Sequence, residues 1–376
     1  MKKKLIRITT IPLSLNLLLR NQLEMLNKHF EVVALSSPGD DLALVSKREG
    51  VRTIQVPMKR DISIWHDLQS LFCLIIVFIH EQPDIVHANT PKGSLLSMFA
   101  GFLTFVPIRI YTITGLRYET EKGFKRKLLI WMERITCKFA SHVIAESKGV
   151  QQMVFNDRLF SGKPRIIGNG NINGLDEYYW DLEKVNPDLK FSLKNKYTIK
   201  KDDFVFIFIG RLVGDKGINE LVKAFRSFRD LNIKLLLVGP LESDLDHLEE
   251  DVLREIDSNP NIITTGFQAD VRLFLSIAHS LILPSYREGF PNVLLQGGAM
   301  GLPLISTDVN GAIDLIIEGR NGLIIKKKSV EELEAAIKYM IANFKNFDPQ
   351  VCREAVISRY SQNYYYPELL NFYKGL

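Results

Sequence analysis

The sequence lacks the cysteine pattern of a disulfide framework or a metal site. Its three cysteines, Cys73, Cys137 and Cys352, lie far apart and form no CxxC pair, which favours a reducing compartment. A long hydrophobic run is also missing. The most apolar stretch, residues 71–79, is nine residues long, whereas a spanning helix needs about 20. We therefore predict no transmembrane segment.

The amino terminus has the basic start and apolar run of a signal peptide but lacks its small-residue cleavage site. Arg7 interrupts the apolar run and Pro12 breaks it again. This pattern predicts a first buried strand rather than a targeting segment.

Composition and charge are those of a soluble two-domain protein. The chain has 376 residues, of which 46% are hydrophobic and 24% charged. Residues 1–180 carry 24 Lys/Arg against 16 Asp/Glu, a balance of +8, so that the remainder carries −3 of the total of +5. The basic half should meet the more anionic partner. No nucleic-acid partner is predicted.

Short apolar runs alternate with longer stretches of helical period throughout the chain. Strand-like runs in the first half are KLIRITT, FEVVALSS, DIVHAN, IRIYTIT and HVIAES, and those in the second half are FVFIFIG, IKLLLVG, IITTG, SLILPS and LPLIST. This alternation predicts an α/β protein with two doubly wound, Rossmann-like domains. We predict a first domain at 1–180, a linker at 181–200, a second domain at 201–355, and a carboxyl-terminal segment at 356–376 that packs back on the first domain.

Two cations follow the first strand of the second domain. In GRLVGDKG, Gly210 ends the strand, Arg211 follows at once, and Lys216 precedes the next helix. Fixed cations at a strand end, beside a helix amino terminus, suit a diphosphate. A solvated loop with two surface cations is an equally good interpretation of this motif alone.

A second anion-binding element is predicted in the stretch EGFPNVLLQ. Pro291 suits the first turn of a helix, where a missing N–H is tolerated. The backbone N–H groups of Gly289, Phe290, Asn292 and Val293 would then lie near a helix amino terminus, which attracts phosphate.

Five motifs occur in order: GRLVGDKG, LVGPLES, TTGFQADV, LPSYREGFPNVLLQGGAMGLPLISTDVNG and GRNGLII. Together they resemble the retaining glycosyltransferases of family 4, which have the GT-B fold, and most closely the bacterial members that extend lipid-linked surface-polysaccharide precursors. The resemblance implies two domains facing across a cleft. The first would bind a polyprenyl-diphosphate-linked or glycan acceptor, and the second a nucleotide-sugar donor, with uridine as the expected base.

The resemblance also implies residue roles. Arg211 and Lys216 would hold the donor diphosphate and stabilise charge developing on it, and Glu288 would lie against the transferred sugar. Phe267 sits where the family contacts the base, although a core aromatic is an equally good interpretation. Gln296 departs from the family, which usually has a glutamate there to accept hydrogen bonds from both ribose hydroxyls; glutamine keeps one acceptor and loses the charge.

The acceptor side matches more loosely. Thr9, Thr10 and Ser14 follow the first strand where the family often has a glycine-rich loop, and Thr114 replaces a histidine found in many relatives. His87 and Lys92 flank another strand end, where Lys92 could meet an acceptor phosphate or remain solvated. The acceptor-side candidates are Thr10, Ser14, His87, Lys92 and Arg117.

A basic, aromatic-containing helix is predicted at residues 123–140. Lys125, Arg126 and Lys127 accompany Trp131, a combination that can lie on an anionic membrane or serve as an ordinary core-packing helix. We expect a cytoplasmic protein at the inner face of the plasma membrane.

Other interpretations are weaker. The GxGxxG spacing of IIGNGNING fails at Asn173, which argues against a nicotinamide enzyme. The acidic residues Asp244 and Asp246 do not follow a strand directly, so that no metal or other cofactor is predicted. A sugar-nucleotide epimerase of the same fold and a non-catalytic binding subunit, the latter favoured by Gln296 and Thr114, remain as alternatives.

Overall fold

The computed structural model describes residues 2–59, 63–229, 231–242 and 246–376. It divides into two compact units. The first comprises the chain up to Gly174 together with Gln362–Leu376, and the second comprises Leu175–Ser361.

The first unit alternates strands with helices. Its strands are β1 (Lys4–Ile8), β2 (Glu31–Ser36), β3 (Arg52–Gln55), β4 (Ile85–Ala88), β5 (Ile108–Ile113) and β6 (His142–Ala145). Its helices in this part of the chain are α1 (Pro12–Leu18), α2 (Gln22–Asn27), α3 (Asp41–Glu49), α4 (Ile64–Glu81), α5 (Pro91–Leu103), α6 (Gly123–Phe139) and α7 (Lys148–Asn156), with a 3-10 turn at Arg117–Glu119.

The second unit repeats this alternation. Its strands are β7 (Phe204–Ile209), β8 (Ile233–Val238), β9 (Ile262–Gly266), β10 (Ser280–Leu283), β11 (Leu304–Thr307) and β12 (Gly322–Ile325). Its helices are α8 (Pro187–Lys196), α9 (Ile218–Phe225), α10 (Glu250–Ser258), α11 (Arg272–Leu275), α12 (Asn292–Ala299), α13 (Ala312–Leu315), α14 (Val330–Asn343) and α15 (Pro349–Tyr360), with 3-10 turns at Leu182–Lys184, Gly214–Lys216, Arg226–Phe228 and Phe344–Asn346. The final helix, α16 (Gln362–Lys374), belongs to the first unit.

The two sheets have the same topology. The first has the order β3-β2-β1-β4-β5-β6 and the second β12-β11-β10-β7-β8-β9, with every pair parallel. Both are doubly wound sheets in which the strand order reverses once, between β1 and β4 and between β7 and β10. Ligands of such sheets bind at the carboxyl ends of the strands at this switch point. The predicted α/β architecture with two Rossmann-like domains is therefore confirmed.

The sheets are apolar on both faces because helices cover them on both sides. In β1, Ile6 and Ile8 pack into one core with α4 and α5, while Leu5 packs into the opposite core with α1, α2 and α16. The amino terminus is thus the buried strand that its sequence predicts. Short strands β3 and β12 are additions to the predicted set, since their runs of four residues carry little periodicity.

The structure corrects the predicted boundaries. The segment at 181–200, predicted as a linker, contains α8 and lies inside the second unit, where Leu193 joins the core. The first unit ends at Gly174 rather than 180. At the carboxyl end, α15 belongs to the second unit and only residues from Gln362 onward belong to the first, where Tyr365, Leu369 and Tyr373 are buried.

The apolar stretch at 71–79 lies within α4. By length and composition, this 18-residue helix is the one described helix that could cross a membrane, with a mean hydropathy of 1.3. It connects β3 to β4, which belong to one parallel sheet, and its residues Leu74 and Phe78 are buried in the core beneath it. It is therefore a crossover helix of the first unit.

Candidate active site

Functional side chains of the second unit gather where β7 and β10 end, at the switch point of the sheet. Gly210 follows β7 with φ +155° and Gly239 follows β8 with φ +148°. A Cβ on Gly239 would lie 1.8 Å from the carbonyl oxygen of Gly210, so that only glycine allows these two strand ends to approach.

The position of Lys216 depends on a glycine in the left-handed conformation, Gly217. Lys216 ends the 3-10 turn Gly214–Lys216, and Gly217 then adopts φ +72° before α9 begins. A Cβ at Gly217 would lie 2.1 Å from the carbonyl oxygen of Pro284. The turn therefore packs directly against the residues that follow β10.

This packing brings Lys216 onto Glu288. Lys216 Nζ donates to Glu288 Oε1 at 2.6 Å, and the two side chains are only 18% and 16% exposed. The two residues are 72 positions apart in the sequence. Two residues that motif reasoning assigned to one site are thus in direct contact.

Arg211, the second cation, has a separate carboxylate partner. Its Nη1 donates to Glu242 Oε2 at 3.3 Å, and this pair is about twice as exposed as the first. An ion pair that is longer and more exposed to solvent is weaker. The guanidinium is therefore the easier of the two cations to redirect towards an incoming anion.

The loop that carries Glu288 is held by three contacts that the motifs did not identify, and a fourth holds Asp215, which two of the three involve. Tyr286 donates its backbone N–H to Asp215 O at 2.9 Å and its hydroxyl to Glu220 Oε1 at 2.6 Å. Arg287 Nη2 lies 3.7 Å from Asp215 Oδ2, and Asp215 N donates to Asp246 Oδ2 at 2.6 Å. Burial, followed by the hydrogen bond to Glu220, raises the pKa of Tyr286, which keeps the phenol a donor.

Three of these supporting residues, Asp215, Tyr286 and Arg287, lie within the motifs GRLVGDKG and SYREGF that carry the predicted site residues. Three buried polar atoms of the supporting residues, Asp215 Oδ1, Glu220 Oε2 and Arg287 Nε, have no hydrogen-bond partner among the described residues. Native proteins leave few such atoms unpaired. Because Asp215 and Arg287 adjoin Lys216 and Glu288 in the sequence, we interpret these unpaired atoms as part of the candidate site.

Helix α12 begins one residue later than predicted. Pro291 has ψ 94° and caps the helix, which starts at Asn292, because this extended conformation cannot continue a helical turn. Asn292 and Val293 therefore contribute the first helical N–H groups, while Gly289 and Phe290 lie in the loop before the cap. The amino terminus of α12 follows directly on the Glu288 loop.

Phe290 anchors this loop in the core. Its ring is buried and lies 5.2 Å, between centroids, from that of Tyr360. Gly311 (φ +73°) closes over the same loop, since a Cβ there would be 2.8 Å from Phe290 Cα. Only the backbone of Phe290 can therefore serve a ligand, as predicted for its N–H group.

Gln296 and Phe267 have the solvent access that binding residues need. Gln296 lies one turn into α12 and is partly exposed, and its side-chain amide makes no hydrogen bond within the described part of the chain. Phe267 follows β9 and is 66% exposed. The interpretation of Phe267 as a core aromatic is therefore wrong, while its contact with a base stays a prediction.

In the first unit, Thr10 joins the two strands that flank the switch point. Its hydroxyl lies 2.7 Å from Thr90 Oγ1 and accepts from Gly93 N at 3.0 Å. Asn89, beside it, is buried with Oδ1 unpaired among the described residues. The predicted position at the end of β1 is thus part of a polar strand-end cluster, which is tied together by side chains instead of glycines.

The remaining acceptor-side candidates lie in different environments. Ser14 is half-buried within α1, and Arg117 is exposed in its 3-10 turn. Lys92 is largely buried and pairs with Asp67 at 2.7 Å. Its solvated interpretation is therefore wrong, and an acceptor phosphate would have to compete with that carboxylate.

His87 lies in the core rather than at the surface. It is 3% exposed and is hydrogen-bonded to Tyr373 Oη at 2.5 Å and Thr112 Oγ1 at 2.6 Å. Burial, with a contribution from the Arg7 charge, lowers its pKa well below the usual range, so that the ring is neutral. Its assignment to the acceptor side is corrected: on β4 it faces the core under α16, and not the strand end.

No group of three or more His, Cys, Asp or Glu side chains within the described ranges could hold a metal ion. Asp244, part of the acidic stretch weighed in the sequence, lies outside those ranges.

Two family descriptions match the chain. Residues 190–351 match Glycosyl transferases group 1, and residues 17–171 match Glycosyltransferase Family 4. The chain is 34% identical over 343 residues to the capsular polysaccharide biosynthesis glycosyltransferase CapM of Staphylococcus aureus, covering 90% of this chain and 88% of that protein.

A second relative is the Escherichia coli UDP-Gal:alpha-D-GlcNAc-diphosphoundecaprenol alpha-1,3-galactosyltransferase. It is 25% identical over 340 residues, which cover 85% of each chain. Among solved structures, Anabaena Alr3699/HepE in complex with UDP and glucose matches with a TM-score of 0.81 at 16% identity, covering all of both chains.

Proposed function

Because the chain belongs to glycosyltransferase family 4 and has its GT-B fold, we propose that it is a retaining enzyme that transfers a hexosyl or N-acetylhexosaminyl group from a UDP-sugar to a lipid-linked acceptor. The family and fold are those that the ordered motifs predict. We therefore propose only the donor, the stereochemistry of transfer and the acceptor.

The observation that carries the proposal is the contact between Lys216 and Glu288 at the switch point of the second sheet. A donor diphosphate beside Lys216 and Arg211 would meet two fixed cations, and the first N–H groups of α12 would add a partial positive charge. As the bond between the sugar C1 and the diphosphate oxygen breaks, its electron pair leaves on the diphosphate. Cations held at that position stabilise the transition state more than the ground state.

Glu288, in the loop before α12, and Gln296, in α12, would bind different parts of the donor. Glu288, whose Oε1 accepts from Lys216 Nζ, would face the transferred sugar at the reacting end. Gln296, one turn along α12, would offer one amide acceptor to the ribose. Losing the charge of the usual glutamate costs on the order of 1 kcal/mol in donor binding. Because two cations offset the diphosphate charge, we propose that transfer proceeds without a metal.

Three features in the name of the Escherichia coli relative support the finer assignments. Its name gives UDP-Gal as donor, an alpha linkage as product and a diphosphoundecaprenol-linked sugar as acceptor. The uridine nucleotide also appears in the structural neighbour from Anabaena. By extension, we propose a polyprenyl-diphosphate-linked or glycan acceptor in surface-polysaccharide synthesis, with the protein in the cytoplasm at the inner face of the plasma membrane.

A transfer assay tests the proposal. Radiolabelled UDP- and GDP-sugars would be offered with undecaprenyl-diphosphate-linked acceptors, and the product linkage would be determined by NMR. We expect transfer from a UDP-sugar with retention. Absence of nucleotide-sugar binding by calorimetry would contradict the proposal, and conversion of the donor without any acceptor would favour the epimerase alternative.

A further inference from the structure

The outer face of α4 is an unusually apolar surface. Six large apolar side chains on it are between 51% and 82% exposed: Ile64, Trp65, Leu68, Phe72, Ile76 and Ile79. Single exposed apolar residues are normal on a soluble protein, but a contiguous group of this size marks an interaction surface. We refer to these six residues as the α4 stripe.

The spacing of the α4 stripe follows a single helical face. Trp65, Leu68, Phe72, Ile76 and Ile79 are separated by three or four residues, so they lie along one line on the helix. The opposite face carries Ser70, Leu74 and Phe78, which are buried. The helix is therefore apolar on the side that packs on the sheet and apolar again on the side that faces solvent.

The stripe carries no charge of its own. The helix has two acidic residues and no lysine or arginine. Asp67 pairs with Lys92 at 2.7 Å, and Glu81 is buried and pairs with Arg52 and Lys4 at 2.5 and 3.1 Å. Both carboxylates are thus directed towards neighbouring elements, and an apolar partner could cover the stripe without burying either of them unpaired.

Basic and aromatic residues continue the surface on the neighbouring helices. Helix α5 packs between α4 and α6. Exposed aromatic rings lie two residues after α5 (Phe105) and on α6 (Phe124 and Trp131). Lys125 and Lys127 are exposed on the same helix, close to Phe124 in the sequence, and Lys125 also pairs with Glu121 at 2.6 Å. The layer therefore combines apolar side chains with positive charge, the combination by which helices bind anionic lipid surfaces.

We propose that the α4 stripe, with the cations of α6, docks this protein on an anionic lipid bilayer, with α4 lying in the plane of the interface. This rests on the proposed function, since it names the surface at which a lipid-linked acceptor would be met. The helix does not span the bilayer, because the strands that it connects belong to one sheet.

Charge favours a bilayer over a second copy of the chain. A two-fold interface places the same patch on both subunits. It would bring together two halves that each carry a net charge of +8 over residues 1–180, whereas an anionic lipid surface is complementary to that charge.

The stripe also connects to the strand ends. Asp67, in the first turn of α4, holds Lys92 in the first turn of α5. Helix α5 begins directly after Thr90, which contacts Thr10 at the switch point. The end of the stripe that carries Trp65 and Leu68 thus lies at the same edge of the first sheet as the predicted acceptor residues.

The test is flotation of the full chain with vesicles of phosphatidylcholine containing about 30% phosphatidylglycerol, and with vesicles of phosphatidylcholine alone. Phe72→Ser with Ile76→Ser removes the centre of the stripe. Phe191→Ser with Leu189→Ser is a matched control, because these residues on α8 of the second unit are 69% and 54% exposed, against 64% and 51% for the stripe pair. We expect the stripe variant to lose about tenfold or more in vesicle affinity, and the control to bind as the unmodified chain does.

Three further measurements decide the outcome. Lys125→Glu with Lys127→Glu should reduce the preference for anionic vesicles. UDP binding by calorimetry should persist in the stripe variant, which shows that the second unit is folded. Equal vesicle binding by the stripe variant and the unmodified chain would overturn the proposal, as would a dimer in solution that the stripe variant converts to monomer. If vesicles bind through the stripe while no nucleotide binds, the docking surface stands and the proposed transfer reaction fails.

Discussion

Replacement of Glu288 by glutamine tests the chemistry at the switch point most directly. The substitution keeps the size of the side chain and one oxygen acceptor, and it removes the charge. In the structure that charge is held 2.6 Å from Lys216 Nζ. The carboxylate would therefore have two opposing effects on the proposed reaction: it positions the Lys216 ammonium, and it would compete with the donor diphosphate for that ammonium.

The geometry sets the magnitude. A charged hydrogen bond contributes about 1.5–3 kcal/mol when buried, and an exposed ion pair under about 1 kcal/mol. With both side chains about one-sixth exposed, a value of about 1–2 kcal/mol is appropriate. If half of this interaction energy becomes available for the contact between Lys216 and the diphosphate, the donor dissociation constant falls about two- to fivefold. Turnover should fall by about 100-fold, the usual cost of losing one preorganised electrostatic group.

Calorimetry with UDP and a UDP-sugar gives the affinity, and initial rates at saturating donor give kcat. Glu242→Gln is the matched control: its carboxylate pairs with Arg211 at 3.3 Å and is more exposed, so that both effects should stay within about threefold. If Glu288→Gln weakens donor binding tenfold and leaves kcat unchanged, the carboxylate serves binding only and the reasoning from this contact is wrong.

Three further predictions concern other parts of the chain. Gln296→Glu should tighten donor binding about fivefold with similar turnover, because it would restore a negative charge at the predicted ribose contact; an inactive variant would contradict this, with calorimetry and kcat as readouts. Glu133 accepts a hydrogen bond from Tyr111 Oη at 2.7 Å, and burial raises the pKa of Glu133 from 4.5 to about 7. The stabilising contribution of the protonated carboxyl is therefore complete below about pH 4.5 and is lost as the pH rises through 7. Urea unfolding should therefore show Glu133→Gln close to the unmodified chain at pH 5 and up to about 3 kcal/mol more stable at pH 8, and a difference independent of pH would refute the assignment. Tyr286→Phe removes the hydroxyl bonded to Glu220 and should lower kcat about tenfold with less than about 1 kcal/mol lost on unfolding; an unchanged kcat would show that this bond does not position the Glu288 loop.

Most of the secondary structure can be predicted from the local sequence pattern. Period-two and continuous apolar runs predict ten of the twelve strands in the described part of the chain, because buried parallel strands have short apolar sequences. The order of strands within each sheet is not local. It follows from the right-handed crossovers and the packing of helices on both faces. The helix α8 shows the limit: its sequence is polar because it lies on the surface, so that it resembled a linker.

The candidate site shows the same division. Motif spacing identified Arg211, Lys216 and Glu288 as residues of one site, because cations at a strand end and a loop before a helix are recognisable locally. It did not identify the supporting contacts of Tyr286 and Asp215, since a tyrosine or aspartate in a loop has no distinctive pattern until its partner is known.

The sequence by itself determined the class of this protein: two α/β domains and the family, together with the few charged residues that we propose meet a nucleotide sugar. The tertiary structure decided which of those residues meet. It paired Lys216 with Glu288 across 72 positions, moved His87 from the acceptor side into the core, and turned one face of α4 outward. The physical reason is that propensity and charge are properties of single segments, whereas contact and burial depend on which segments pack together.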